Sequence, residues 1–430
     1  MFLFYLFYFI LMPSFCFAYL DPGTGSLLIY ALVGIATTLV FALKNVFYNI
    51  RNLFSKNKIK SSEEYGIVFY SEGKKYFHIF KSIINELINE KIKFTYITSD
   101  VDDPIFQYKS EYVNPMSFSS EMKTISFLNC IKADVIISTT PHLDIYMWKK
   151  SKNVKKYIHI FHAPTGIDFY EKYALSFYDI IFSVGTFTEI GQKSLDEKRH
   201  LPQKEYYNIG CTYYDYMLQE YNEKKSELTY IKSKDKKTIL YAPTWGKNRS
   251  SFFSSGIDIV SHLLEKGFDV IFRPHPQFYI SHVKELNDFI EKFSHFENLT
   301  IDNEQTPVLS MIKSDLLITD FSGVLFDYAY LSEKPVLLLN VSTALDGYEA
   351  EELQPLNSSF DINASLELAH QLSEDEIKRI DSFVIDILNN AKTKEKIKDF
   401  KEKNIFNFGN AGKKAAETII QIYNNLEGTK

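Results

Sequence analysis

Beyond residue 64 the sequence alternates short apolar runs, rich in β-branched and aromatic residues, with longer amphipathic runs. This alternation is typical of parallel strands joined by helical crossovers, because the two kinds of run match the periods of strand and helix. The predicted strands form two series, one at 66–70, 94–98, 135–138, 157–161 and 180–184, the other at 238–242, 268–273, 315–319 and 335–339. The sequence therefore predicts an α/β protein of two Rossmann-like, doubly wound lobes.

Helices are expected between these strands. The apolar stripe of the first one, within 77–89, recurs at helical spacing and consists of Phe77, Phe80, Ile84, Leu87 and Ile88. We interpret this stripe as core packing rather than as a binding site. Further helices are predicted at 257–266, 280–293 and 324–331.

Two apolar runs, at 1–18 and 27–43, precede the lobes. The first is either a signal peptide cleaved after Ala18 or an uncleaved helix. The second, extended to residue 46, approaches the length of about 20 residues that a bilayer requires, so we predict a transmembrane helix at about 27–46. The alternative interpretation is a buried hairpin in a soluble domain.

Basic residues follow the second apolar run, whereas the short loop around Asp21 has none. They are Lys44, Arg51, Lys56, Lys58 and Lys60. The positive-inside rule therefore predicts that everything beyond residue 50 faces the cytoplasm, on the inner face of the cell membrane. Both interpretations of the first run give this orientation.

A lysine-rich stretch at 223–237 separates the two series of strands. We therefore divide the chain into a membrane anchor, a first lobe, a second lobe and a C-terminal helix, at 1–60, 61–232, 233–395 and 396–430. Two such lobes facing each other would form a ligand cleft at the carboxyl ends of their strands.

The charge of the chain argues against a nucleic-acid partner. The formal net charge is -6, so no global basic field draws the protein to phosphate backbones. The three cysteines, Cys16, Cys130 and Cys211, have neither the number nor the spacing of a disulfide framework or a zinc site.

The strand predicted at 315–319 runs through Thr319 and Asp320 to Ser322 and Gly323, where the next helix is expected to begin. Free backbone N–H groups at a helix start, together with its positive dipole end, are suited to an anion such as phosphate. Gly323 would let that anion approach the backbone closely. The alternative is ordinary helix capping, for which Asp320 and Ser322 are also favoured residue types.

The strand predicted at 268–273 ends in Arg273-Pro274-His275-Pro276. The two prolines stiffen the turn. A guanidinium and an imidazole at a strand end are suited to holding a diphosphate and neutralising the charge of a departing phosphate.

The strand predicted at 238–242 leads into Thr244 and Trp245, one of only two tryptophans in the chain. A base or a sugar could lie against this indole ring. Alternatively, Trp245 seals the interface between the lobes.

In the first lobe, the strand predicted at 157–161 is followed directly by His162. Strand alternation places His159 and Phe161 on one face and His162 on the other, nearer the loop. A neutral imidazole there could take a proton from an acceptor hydroxyl as it attacks a phosphorus atom held by the opposite lobe.

Four segments, at 162–166, 241–245, 273–276 and 318–329, resemble the CDP-glycerol glycerophosphotransferase family in their order and approximate spacing. The resemblance covers about residues 155–345. It implies the GT-B fold and transfer of glycerol phosphate from CDP-glycerol to a hydroxyl of a growing polymer or its lipid-linked primer, with release of CMP. The expected product is a teichoic-acid-type cell-surface polymer, and no tightly bound cofactor is expected.

The resemblance also implies roles for single residues. His162 would be the general base, and His275 with Arg273 would act at the donor diphosphate. The rest of the donor site would consist of Thr244, Thr319, Asp320, Ser322, Gly323 and Asp327.

The chain departs from the family pattern at two points. The family commonly has His-Gly-Thr-Pro followed by a basic residue where this chain has His162-Ala163-Pro164-Thr165-Gly166, so handling of the acceptor is expected to differ. The family often has two serines where this chain has Ser322 and Gly323, so one hydroxyl contact is lost although the backbone site is kept.

Two other functions fit the same sequence. One is a glycosyltransferase of the same fold, or a CDP-ribitol-type transferase, in surface polysaccharide synthesis. The other is a non-catalytic membrane scaffold in polysaccharide export. No carboxylate cluster in the sequence compels a bound magnesium ion, so we expect a metal-independent reaction.

Overall fold

The computed structural model describes residues 63–118, 120–228, 236–339, 347–353, 359–390 and 392–428. The predicted membrane anchor, with its apolar runs at 1–18 and 27–46, lies outside these residues. No helix in the described part of the chain is both long enough and apolar enough to span a bilayer. The described residues from Glu63 onward belong to one compact unit.

The first lobe is built on a sheet of seven strands, all parallel, in the order β3-β2-β1-β4-β5-β6-β7. The strands are β1 Glu64–Ser71, β2 Phe94–Thr98, β3 Val113–Ser117, β4 Lys132–Ser138, β5 Val154–Ile160, β6 Ile180–Ser183 and β7 Glu205–Asn208. The order reverses at β1, which lies between β2 and β4. In doubly wound sheets such a reversal opens a crevice at the carboxyl ends of the strands.

The second lobe repeats this plan with six parallel strands in the order β10-β9-β8-β11-β12-β13. The strands are β8 Thr238–Tyr241, β9 Asp269–Phe272, β10 Leu299–Ile301, β11 Leu316–Thr319, β12 Val336–Leu339 and β13 His370–Leu372. Here the order reverses between β8 and β11. The loops that follow these two strands therefore border the second crevice.

Helices cover both faces of the sheets. Those of the first lobe are α1 Phe77–Asn89, α2 Glu121–Leu128, α3 Thr186–Lys198 and α4 Tyr213–Leu228. Those that follow β8 are α5 Ser251–Ser254, α6 Gly256–Glu265, α7 Phe278–Ser281, α8 Val283–Phe293, α9 Val308–Lys313, α10 Val324–Ser332, α11 Phe360–Leu368, α12 Glu374–Ile377, α13 Ile380–Leu388, α14 Lys392–Asn404 and α15 Ala411–Glu427. Short 3-10 helices lie at Lys74–Tyr76, Pro104–Gln107 and Glu349–Glu351.

The interior strands are buried on both faces. Every residue of β2, β6, β11 and β12 is buried. This explains why these strands are continuous apolar runs, since helices on both sides of a parallel sheet leave no polar face. The predicted α/β architecture with parallel sheets is confirmed.

The C-terminal helix α15 returns to the first lobe. It contacts α1 and β4, and its Ile419 and Ile422 are buried in the core beside the first sheet. The domain limits given above stay predictions, because 229–235, where the first lobe is predicted to end, lies outside the described residues.

Candidate functional site

His162 lies two residues beyond the end of β5, at the carboxyl edge of the first sheet. Its Nδ1 atom is 3.4 Å from the Tyr170 hydroxyl, and the ring centroids of Tyr76 and Tyr170 are 5.9 and 6.0 Å away. Solvent reaches the side chain, although protein surrounds it on most sides, as in a cleft. Burial, with the nearby charge of Lys75, lowers the pKa of His162. The imidazole is therefore neutral near pH 7 and able to accept a proton.

His78 is a second imidazole in this region, which the sequence analysis missed. It is the second residue of α1, and its ring is 5.5 Å from that of Tyr213 and 5.6 Å from that of Tyr216. Burial and the proximity of His162 lower the pKa of His78 to about 4. His78 follows β1, and this position near a predicted carboxyl edge could have indicated a site residue. Sequence analysis instead assigned this helix to core packing because of its apolar stripe.

The start of α10 is open in the second lobe. The first intrahelical hydrogen bonds run from the N–H groups of Leu325 and Phe326 to the carbonyls of Ser322 and Gly323, so the N–H groups of Gly323 and Val324 lie ahead of the helical ladder. No side chain of the described residues caps this end, and a Cβ built on Gly323 would meet none of their atoms within 4 Å. The capping interpretation of Asp320 and Ser322 is therefore wrong, and the helix start is accessible to an anion.

Asp320 lies behind this surface instead, with no exposed area. Its carboxylate accepts hydrogen bonds from the Thr244 N–H at 2.7 Å, the Ser251 N–H at 2.9 Å and the Ser251 hydroxyl at 2.8 Å. Thr319, also fully buried, donates its hydroxyl to the Ala242 carbonyl at 2.7 Å. Both residues thus hold the loop after β8 from below, and neither contributes its side chain to the cleft wall.

Replacement of Asp320 by alanine is expected to lower the free energy of unfolding by about 3 kcal/mol, because three buried donors lose a charged acceptor at once. Chemical denaturation of the full chain, purified in detergent, measures this change. The control is Asp288→Ala, which removes an exposed carboxylate from α8. Equal stability of the two variants would contradict the supporting role of Asp320.

The guanidinium group of Arg273 is already bound by other groups of the protein. Its Nη1 atom lies 2.7 Å from Asp302 Oδ2, and Nη2 donates to the Glu304 carbonyl at 3.0 Å. The side chain is 12% exposed, so it supports the turn after β9 while retaining limited access to the cleft.

His275 is half-buried at the same turn as Arg273. Its Nδ1 atom accepts a hydrogen bond from the Gln277 N–H at 3.1 Å, which leaves Nε2 as the protonated, donating nitrogen of the neutral ring. Burial, with the charge of Arg273, lowers the pKa of His275. Trp245 lies 6.2 Å from this ring and is 47% exposed, which favours a ligand-facing indole over an interface seal.

Asp327, on the first turns of α10, joins the second lobe to the first. Its carboxylate oxygens lie 3.3 Å from the Tyr214 hydroxyl and 3.5 Å from the Tyr213 hydroxyl, both on α4. Burial raises the pKa of Asp327 to about 7. Since Tyr213 also contacts His78, a continuous line of side chains connects the His162 region with the start of α10.

The structure thus links His162, through His78 and Tyr213, to Asp327 on α10, the helix that begins after Ser322 and Gly323. Thr244 and His275 follow β8 and β9 at the same edge of the second sheet. Thr319 and Asp320 lie beneath the surface, and Arg273 is paired with Asp302. Among the described residues, no group of three or more His, Cys, Asp or Glu side chains is placed to hold a metal ion.

Curated proteins that are similar to this chain match it over only part of its length. The chain is 35% identical over 114 residues to a teichoic acid poly(glycerol phosphate) polymerase of Bacillus spizizenii, covering 24% of this chain and 26% of that protein. It is 30% identical over 109 residues to a teichoic acid glycerol-phosphate transferase of Staphylococcus aureus, with the same coverage of 24% and 26%. The matches therefore span about a quarter of the length of these curated relatives.

Solved structures agree in fold. The wall teichoic acid polymerase TagF matches with a TM-score of 0.55 and 19% identity, over 92% of this chain and 98% of that chain. A UDP-GlcNAc 2-epimerase from Neisseria meningitidis matches with a TM-score of 0.52 and 16% identity, over 84% of this chain and 100% of that chain. At these identities the likeness establishes a shared GT-B-like fold.

The family model of CDP-glycerol:poly(glycerophosphate) glycerophosphotransferases matches residues 53–419, which is most of the 430-residue sequence. The match includes both sheets and every residue of the cleft described above. The chain therefore belongs to the CDP-glycerol:poly(glycerophosphate) glycerophosphotransferase family.

Proposed function

We propose that this protein transfers glycerol phosphate from CDP-glycerol to a hydroxyl group of a lipid-linked or growing cell-surface polymer and releases CMP. Family membership and the names of the two curated relatives support the substrates. The observation that carries the proposal is the line of side chains that runs from a neutral His162, through His78 and Tyr213, to Asp327 on the helix whose uncapped start is Gly323.

In the proposed reaction, the acceptor hydroxyl oxygen attacks the phosphorus atom that bears glycerol. The new P–O bond forms as the bond to the bridging diphosphate oxygen breaks, and CMP leaves with that electron pair. His162 takes the hydroxyl proton on Nε2 in the tautomer that carries its hydrogen on Nδ1, the atom 3.4 Å from the Tyr170 hydroxyl oxygen. The role of base requires this tautomer.

The charge that develops on the diphosphate would be stabilised from the second lobe. The N–H groups of Gly323 and Val324 and the dipole of α10 favour negative charge at the helix start. His275 adds an Nε2–H donor, since its Nδ1 is already occupied by the Gln277 N–H. Arg273 keeps a long-range electrostatic contribution, and Thr319 and Asp320 act by holding the loop of Thr244.

Replacement of Lys75 by glutamine is expected to shift the acid limb of the kcat/KM profile to higher pH. The lysine charge lowers the pKa of His162, so its removal raises that pKa and leaves less neutral imidazole at low pH. Initial rates of CMP release between pH 5 and about 8 measure the shift, since this is the range in which a histidine titrates. The control is Lys74→Gln at the adjacent exposed lysine, and equal profiles for the two variants would contradict the assignment.

We also propose that the N-terminal segment anchors the protein in the cytoplasmic membrane with both lobes in the cytoplasm. The support is the apolar run at 27–43 and the basic residues that follow it. Protease digestion of a C-terminal tag in intact and in permeabilised cells tests this orientation. Cleavage in intact cells would contradict it.

The proposed activity is tested by incubating the purified protein and acceptor with CDP-glycerol, CDP-ribitol or UDP-sugars and identifying the nucleotide released. CMP release from CDP-glycerol is the expected result. UDP release from a UDP-sugar would instead identify a glycosyltransferase of the same fold. Release of no nucleotide from any donor would support a scaffold.

A further inference from the structure

The loop that carries His162 is held by a chain segment from the other half of the sequence. This returning segment, residues 347–353, follows β12 of the second lobe in sequence but hydrogen-bonds to the first lobe. Tyr348 forms an antiparallel bridge with Glu171, the Glu349 N–H donates to the Tyr170 carbonyl at 2.8 Å, and the Ala350 N–H donates to the Asp168 carbonyl at 2.9 Å. Tyr170, whose hydroxyl approaches His162, is therefore fixed through its backbone by the returning segment.

Two buried carboxyl groups reinforce this junction. Asp168 is 1% exposed, and Asp361, the second residue of α11, is 2% exposed. The Gly166 N–H donates to Asp361 Oδ1 at 2.6 Å, and the Asp361 N–H donates to Asp168 Oδ2 at 2.9 Å. A side chain from α11 thus binds the backbone of the His162–Gly166 turn directly.

Gly166 is enclosed by these carboxyl groups. A Cβ built on Gly166 would lie 2.9 Å from Asp168 Oδ2 and 3.4 and 3.6 Å from the two carboxylate oxygens of Asp361. Three carboxylate oxygens therefore crowd around one α carbon, and the two side chains lie against each other. The remaining oxygen, Asp361 Oδ2, is buried and has no hydrogen-bond partner among the described residues.

No cationic side chain in the described part of the chain neutralises the pair. Among the described residues, neither carboxylate forms an ion pair with a lysine, arginine or histidine, and the titratable groups that face Asp361 are Asp168, Tyr170 and Tyr330. Two ionised carboxylates in such a place would repel each other without compensation. A single proton between them removes the repulsion and turns Asp361 Oδ2 into a donor.

We propose that Asp361 holds a proton against the Asp168 carboxylate and that the two side chains together clamp the turn of His162 to the second half of the chain, so that Asp361 is a positioning residue for the base. The inference rests on the proposed function only in naming His162 as the base. In the protonated form the clamp is intact. In the doubly ionised form the carboxylates separate and Gly166 loses its restraint.

Burial, followed by the charge of Asp168, raises the pKa of Asp361 well above its ordinary range. A carboxyl group whose folded-state pKa is raised stabilises the fold at low pH, and this contribution is lost as pH rises toward the folded-state pKa. Asp361→Asn removes the titration while keeping an oxygen for the Gly166 N–H and an N–H₂ donor for Asp168. Asp361→Leu keeps the approximate volume but removes both interactions.

The test compares wild-type protein, Asp361→Asn and Asp361→Leu in the full chain, with kcat, KM for CDP-glycerol and the melting temperature measured across pH. We expect the kcat and the melting temperature of the wild type to decrease as pH rises. In Asp361→Asn, both decreases should be smaller, because the contribution of the Asp168–Asp361 pair is absent. Asp361→Leu is expected to lower kcat by about 100-fold, the loss typical of a reacting group displaced by about 1 Å, with KM little changed.

Superposable pH profiles of wild type and Asp361→Asn would overturn the proposal, as would equal loss of kcat in the asparagine and leucine variants. The asparagine comparison decides the matter even where Asp361→Leu does not fold. Asp327 also contributes to the wild-type curve, so the decisive quantity is the difference between wild type and Asp361→Asn. The melting curves need no substrate, so a wild-type protein inactive on CDP-glycerol would refute the proposed function and leave this inference separately testable.

Discussion

Replacement of His162 by alanine is expected to lower kcat for CMP release from CDP-glycerol by about 10²–10⁴-fold, the usual contribution of a positioned general base. The KM for the donor should change little, because the diphosphate is expected to be held by the opposite lobe. The fold should be retained, since the His162 side chain is exposed and its polar contact within the described chain, with the Tyr170 hydroxyl, is long at 3.4 Å. Steady-state rates with saturating acceptor measure the change.

The matched control is His295→Ala. His295 is exposed in the segment that precedes β10, on the amino edge of the second sheet and so opposite to the cleft. Its removal should leave kcat and KM unchanged. If His162→Ala retained more than about a tenth of the wild-type kcat, the base would have to be another group, and His78 would be the next candidate.

Replacement of Gly323 by aspartate is expected to raise the KM for CDP-glycerol by about 100-fold, the effect of about 3 kcal/mol of like-charge repulsion. The new carboxylate would occupy the helix start and compete with the diphosphate for its N–H groups. Stability should be unchanged or higher, because aspartate is favoured at helix N-termini and Gly323 has a φ of -57°, which any residue adopts. Donor titrations and thermal melts separate the two effects.

Gly323→Ala is the control for this substitution, because a Cβ there meets nothing within 4 Å and carries no charge. Its KM should stay within a few-fold of wild type. A normal donor KM in Gly323→Asp would show that the diphosphate binds elsewhere. A high KM accompanied by a collapse of the melting temperature would point to misfolding.

The interior strands were predictable from sequence, but the edges of the sheets were not. β3 contains Pro115 and two polar residues, and β10 and β13 have only three residues each, so none of them forms an apolar run. Edge strands are often short and polar because this prevents them from pairing with other chains. The same features remove the apolar run by which a strand is recognised in the sequence. The helix predicted at 280–293 was only partly correct, since it is interrupted at His282 between α7 and α8.

The site was predictable as a set of strand ends, because parallel sheets bind ligands there. What sequence could not decide was which polar side chains face the cleft. Asp320 and Gly323 are three positions apart, yet one is fully buried and the other exposed. The partner of Gly166 lies 195 residues away at Asp361, so this contact follows only from the folded chain.

A lysine from another part of the chain lies close to His162, where the chain departs from the family pattern. The turn that begins at His162 lacks the basic residue that commonly follows in the family, but Lys75 brings a positive charge close to the same imidazole. The charge comes from the turn between β1 and α1 instead.

In the proposed complex, a diphosphate held at the start of α10 faces the side chain at position 162. A crystal structure of His162→Asn with CDP-glycerol would show this arrangement. We expect diphosphate oxygens within hydrogen-bond distance of the Gly323 and Val324 N–H groups, with the glycerol-bearing phosphorus turned toward Asn at position 162. Donor bound outside the cleft, or with its diphosphate away from α10, would contradict it.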